Sequence, residues 1–156
     1  MTAFTEEEWS NEVIKELTRV LKPGGWLEIM EGDMMFYPEG PKGKILMDAI
    51  RSTLLSKSIN PRICSRLWSW LSASPQLHNL SHEERSGPIG SWAGGVGELA
   101  CQDFCDTLYA LRGVLTETLG KKSEEYDEMV TEFAKECNEN KASFRHFRFF
   151  CQKLDA

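Results

Sequence analysis

The chain has 156 residues, 41% of them apolar, enough for one domain with a buried core and too few for two ordinary domains. Its 18 basic and 24 acidic residues leave a formal charge of −6, which argues against a general nucleic-acid binder and against a protein held on anionic lipid by charge. No apolar run approaches the roughly 20 residues of a membrane span, and with 27% charged and 10% aromatic residues the chain does not read as a disordered tail.

The opening MTAFTEEE has neither the basic nor the apolar segment of a secretory leader, so the expected location is intracellular, in cytoplasm or nucleus. Thr5 to Leu21 is predicted as a helix. Thr5 and Glu8 have capping-box spacing, Glu6 to Glu8 suit the positive end of the helix dipole, and Trp9, Val13, Leu17, Val20 and Leu21 make an apolar stripe. Pro23-Gly24-Gly25 ends it. Trp26 to Glu31 (WLEIME) is predicted as a short strand, with Trp26 and Met30 on one side and Leu27 and Ile29 on the other. Apolar residues on both sides suit a sheet covered on both faces. Gly32 to Gly43 reads as a loop with an apolar patch at Met34 to Tyr37.

Lys44 to Lys57 is predicted as a helix through Ile45, Leu46, Ala49, Ile50 and Leu54. Asn60-Pro61 opens the next helix, to about Ala73, with Ile63, Leu67, Trp68 and Leu71 inward. Gln76 to Arg85 is predicted as a strand and Ser86 to Gly97 as a loop. A helix over Glu98 to Leu119 uses Leu99, Phe104, Cys105, Leu108, Leu111 and Leu115. Another, capped by Ser123, carries Tyr126, Met129, Val130, Phe133 and Cys137. Ser143 to Leu154 is predicted as the last strand. The outline is an α/β fold of about three strands and five helices.

Several residue groups have the types that carry chemistry. Cys64, Cys101, Cys105, Cys137 and Cys151 include no CxxC pair and read as buried free thiols. His78 and His82 would stand about 13 Å apart on a strand, too far to share a metal; no metal-ligand set is found. Gly94-Gly95-Val96-Gly97 precedes a helix but follows no buried strand, so it reads as a flexible connection with a close helix contact rather than a cofactor loop. Arg145, His146, Arg148 and Lys153, interleaved with Phe144, Phe147, Phe149 and Phe150, resemble a base-stacking face; aromatics packed in a sheet with charges at its rim is the preferred reading.

The stretch Trp9 to Asp33, with R-V-L-K-P-G-G at Arg19 to Gly25, resembles the class I S-adenosylmethionine-dependent methyltransferases. INPRICSRLWSWL, HEERSGPIGSWAGGVGEL and FRFFCQKL are similar to the C-terminal halves of fungal members. The resemblance implies a partial Rossmann-like fold over residues 1–156, holding the fifth, sixth and seventh strands of the family sheet. The family's D-x-G-x-G-x-G cofactor loop has no counterpart here, so the chain is expected to start in mid-domain, without the cofactor-binding half. The implied activity is methyl transfer from S-adenosylmethionine to an O, N or C nucleophile on a small-molecule or protein acceptor, this chain supplying the substrate side and being inactive alone. The resemblance places Glu31, Asp33, Met34 and Tyr37 toward that acceptor; no catalytic residue and no cofactor-binding residue is assigned. In the family the fifth strand pairs with the fourth and the seventh, and the last two strands are antiparallel. WLEIME is therefore expected to be an open edge that invites another chain. The alternatives are a non-catalytic module or truncated remnant that pairs with a fuller methyltransferase, and an unrelated helical binding protein.

Overall fold

A computed structural model describes residues 4–155; the Met1 to Ala3 part of the leader reading lies outside them. The chain is α/β, with a three-stranded antiparallel sheet in the order β1-β3-β2. The strands are β1 (Trp26–Tyr37), β2 (Leu77–Pro88) and β3 (Ser143–Lys153). Among the described residues no helix is long and apolar enough to cross a membrane. Contacts divide the described residues into two compact units, residues 4–33, 54–85 and 146–155, and residues 34–53 and 86–145.

The first unit opens with α1 (Glu6–Glu8), a π-helical turn (Trp9–Val13) and α2 (Ile14–Val20). The capping box forms as predicted: the Glu8 backbone N–H donates to Thr5 Oγ1, and the Thr5 N–H donates to the Glu8 carboxylate at 2.7 Å. The π turn changes the expected stripe. The Ile14 N–H donates to the Trp9 carbonyl, five residues back, so an extra residue is wound into the turn. The buried positions become Trp9, Ile14 and Thr18, and Val20 is 64% exposed. The helix α4 (Cys64–Ala73) begins after a turn in which the Arg62 N–H donates to Asn60 Oδ1, so Pro61 precedes the helix. Its Ile63, Leu67 and Leu71 edge packs with Trp9, Ile14, Leu27, Ile29, Phe149 and Cys151 in one core.

Strand β1 corrects two expectations. WLEIME is not covered on both sides: Leu27 and Ile29 are buried, but Trp26 is 55% and Met30 61% exposed. The exposed side carries the Glu28–Arg148 ion pair at 2.7 Å and Trp26 against Phe150. Half of the predicted Gly32–Gly43 loop, Gly32 to Tyr37, is strand, because Met34 and Phe36 bury alternate positions at 5% and 3% exposure. The buried positions change parity, from 27 and 29 to 34 and 36, across Gly32-Asp33. The edge expectation agrees with the sheet order, in which β1 has one strand neighbour, β3. Register is fixed by the Lys153 N–H donating to the Gly25 carbonyl at 2.9 Å.

In the second unit α3 (Pro41–Ser56) starts three residues earlier than predicted. Glu136 supplies the reason: its carboxylate accepts from the N–H groups of Lys42 and Gly43, both at 2.9 Å, and so satisfies the helix start from far along the chain. A 3₁₀ turn (Ser91–Ala93) leads into α5 (Gly95–Ala110). The predicted Glu98–Leu119 helix is broken at Leu111 (φ −88°, ψ 1°), and α6 (Arg112–Leu119) follows, so with α1, the π turn and α2 counted as one helix the five expected helices become six among the described residues. Gly97, Cys101, Cys105 and Leu108 are buried at helical spacing; Leu99, two residues from Gly97, points away and is 72% exposed. Helix α7 (Ser123–Glu139) buries all five predicted residues, with the Tyr126 hydroxyl donating to the Leu108 carbonyl at 2.8 Å. Ser123 is its first helical residue rather than its cap; Glu125 reaches back to accept from the Lys122 N–H.

Candidate functional site

Strand β1 places Glu31 and Asp33 on one side, two residues apart and thus about 7 Å along the strand. Both are half-buried, and Glu31 Oε2 and Asp33 Oδ1 are closed off from solvent. Burial pushes the Glu31 carboxyl above its ordinary range. The first residue of α4, Cys64, is 2% exposed, with the Asp33 and Glu31 carboxylates near its thiol. Burial above all, and then the negative charges of Asp33 and Glu31, push this thiol far above the usual range. At neutral pH it is a protonated donor and no nucleophile. The three residues belong to the first compact unit. Together they make a shielded acid pair, one member of which holds its proton unusually well, backed by a neutral thiol. Such a pair can orient a hydroxyl or amine and take its proton.

Met34 and Tyr37 belong to the second unit. Met34 is 5% exposed, and its carbonyl accepts from Arg51 Nη1 at 2.7 Å. Tyr37 is half-exposed; its carbonyl accepts from Ser143 Oγ, and the Arg145 guanidinium lies 5.8 Å from its ring. Sequence reasoning missed Arg51, which is 14% exposed and ion-paired to Glu39 at 2.9 Å and Asp48 at 2.7 Å. Its spacing to Asp48 was a visible signal; its reach to Glu39 and to the Met34 carbonyl was not. Cys64 was assigned only to the core, and nothing in its local sequence announces two acids beside it.

The other groups are absorbed by packing. All five cysteines are free and buried, as predicted. Burial pushes the Cys105 thiol up to about 12. Among the described residues no group of three or more His, Cys, Asp or Glu is placed to hold a metal ion. The His82 ring lies 4.6 Å from that of Trp68 and 6.1 Å from that of Phe149. Phe144 packs on Phe36 and Phe104, and Phe150 on Trp26, so these rings of the aromatic run are taken up by other rings of the chain. In the Gly94–Gly97 run, Gly94 and Gly95 face open space and Gly97 is crowded. A Cβ at Gly97 would meet the Gly90 carbonyl oxygen at 2.3 Å, so this glycine is used for close helix packing.

No protein-family model matches this chain, and no curated protein matches its sequence.

Proposed function

We propose that this chain is the substrate-side part of a class I S-adenosylmethionine-dependent methyltransferase and acts only when a second segment supplies the cofactor-binding part. The observation that carries the reading is the strand arrangement. β3 lies between β1 and β2 and is antiparallel to both, so β1 and β2 run the same way. The resemblance of R-V-L-K-P-G-G and the segments after it assigns these strands as fifth, seventh and sixth, in the same order and directions. The acid pair supports an acceptor-side role. Glu31 and Asp33 hold an acceptor hydroxyl or amine, and one of them takes the proton that the nucleophile loses. Cys64 stays protonated beside the Asp33 carboxylate. Positioning is the main contribution of such residues to a displacement reaction. No step of the cofactor itself is assigned to this chain.

A second reading is a non-catalytic module that pairs with a fuller methyltransferase. It is favoured by the exposed Trp26 and Met30 on a strand with one neighbour. Equilibrium dialysis of labelled S-adenosylmethionine tests the proposal. The chain is measured alone and together with a polypeptide carrying D-x-G-x-G-x-G, either encoded upstream in the same frame or copurified with it. Saturable binding only by the combination is expected. Micromolar binding by the chain alone would overturn the half-domain reading, and no binding by either sample would overturn the methyltransferase reading.

A further inference from the structure

The first unit also holds a cleft of about 420 Å³ between the π turn with α2 and the end of α4. That volume falls in the range of small-molecule sites. Ile14, Trp70 and Pro75 form its apolar walls; Lys15, Ser74 and Gln76 bring the polar groups. Thr18 also lines it, but its hydroxyl is spent on the Ile14 carbonyl at 2.7 Å.

Two independent features mark the cleft. One is charge. The chain carries 24 acidic residues, yet none lines this cleft, and Lys15 has no ion-pair partner among the described residues. A lone ammonium at an apolar cleft complements an anion. The other is the backbone. The π turn ends where Ile14 begins, and the inserted residue is what places Ile14, instead of Val13, in the buried stripe. Single π turns are uncommon and concentrate at functional sites. The Trp70 indole adds a flat face, with the Arg66 guanidinium 5.5 Å from its ring, and such a face favours a ring over an alkyl chain.

We propose that this cleft binds a small aromatic carboxylate, its ring against Trp70 and Ile14 and its carboxylate on Lys15. The proposal does not rest on the methyl-transfer reading, and its test involves neither Glu31 nor S-adenosylmethionine. The full chain, labelled with nitrogen-15, is titrated with 2-naphthoate and separately with the neutral 2-naphthamide while amide and indole resonances are followed. Naphthoate is expected to shift the amides of Lys15, Ser74 and Gln76 and the Trp70 indole N–H saturably. Naphthamide should bind about fivefold more weakly, the scale of one exposed charge pair. Lys15→Gln, on an exposed helix position, should fold normally and lose the same factor for naphthoate only. Trp70→Leu should weaken both probes. Equal affinity for the two probes, or an unchanged naphthoate affinity in Lys15→Gln, would overturn the anion assignment. No saturable shift at these residues with either probe would overturn the site.

Discussion

Glu31 is the residue on which the acid pair turns. Its carboxyl sits above the ordinary 4.5 because burial disfavours the charged form. The native state therefore binds a proton more tightly than the unfolded chain, and stability falls as pH rises from 4.5 through the raised native value. The penalty is complete above the raised native value. Glu31→Gln removes the charge and keeps an acceptor. It is expected to melt higher than wild type at pH 7, with the gap closing as pH drops below 4.5; thermal melts at the two pH values check this. An unchanged gap across that range would mean that Glu31 titrates normally. Gly97 gives a second residue-scale test. Gly97→Ala drives a methyl into the Gly90 carbonyl and should cost about 3 kcal/mol in denaturant unfolding. Gly95→Ala meets nothing within 4 Å at a helical position and should be neutral or stabilising by about 0.5 kcal/mol. A loop that cradles a ligand would suffer from both changes in binding, and this one suffers from one change in packing.

At the scale of elements, the start of α3 depends on a carboxylate more than ninety residues away. Removing it with Glu136→Ala frees the N–H groups of Lys42 and Gly43 together. The expected loss is about 2 kcal/mol in the denaturant midpoint, with amide exchange rising first over the opening turn of α3. The same contact shows what sequence can and cannot carry. The Thr5/Glu8 capping box, the α7 stripe and the aromatic β3 are written in neighbouring residues, and each lies where local pattern puts it. The early start of α3, the extension of β1 through Gly32-Asp33 and the Arg51–Glu39 pair depend on partners distant in the chain. Gly32-Asp33 reads locally as a turn, and only the alternate burial of Met34 and Phe36 keeps it extended. The π turn has no local signature; it is visible only in the shift of burial from Val13 to Ile14. Within the site, the spacing of Glu31 and Asp33 was legible and their closeness to Cys64 was not, since α4 reaches them through tertiary packing.

At the scale of the whole molecule, the open edge of β1 organises the account. β1 is a twelve-residue strand with one neighbour, Trp26 and Met30 exposed on it and no lysine, arginine or proline along its length; only Glu28, Glu31, Asp33 and the parity change at Gly32-Asp33 oppose pairing at this edge. This is the physical content of the claim that a second polypeptide completes the sheet. Placing a lysine there should act on association and leave the fold intact, because Met30 is 61% exposed. Sedimentation velocity of the wild type and of Met30→Lys over a wide concentration range is the most direct test. The wild-type chain is expected to associate in a concentration-dependent way, reversed when a cofactor-binding partner occupies β1, and the Met30→Lys chain to stay monomeric with an unchanged melting temperature. A wild-type chain that sediments as one monomeric species at every concentration, and recruits no partner strand, would contradict it.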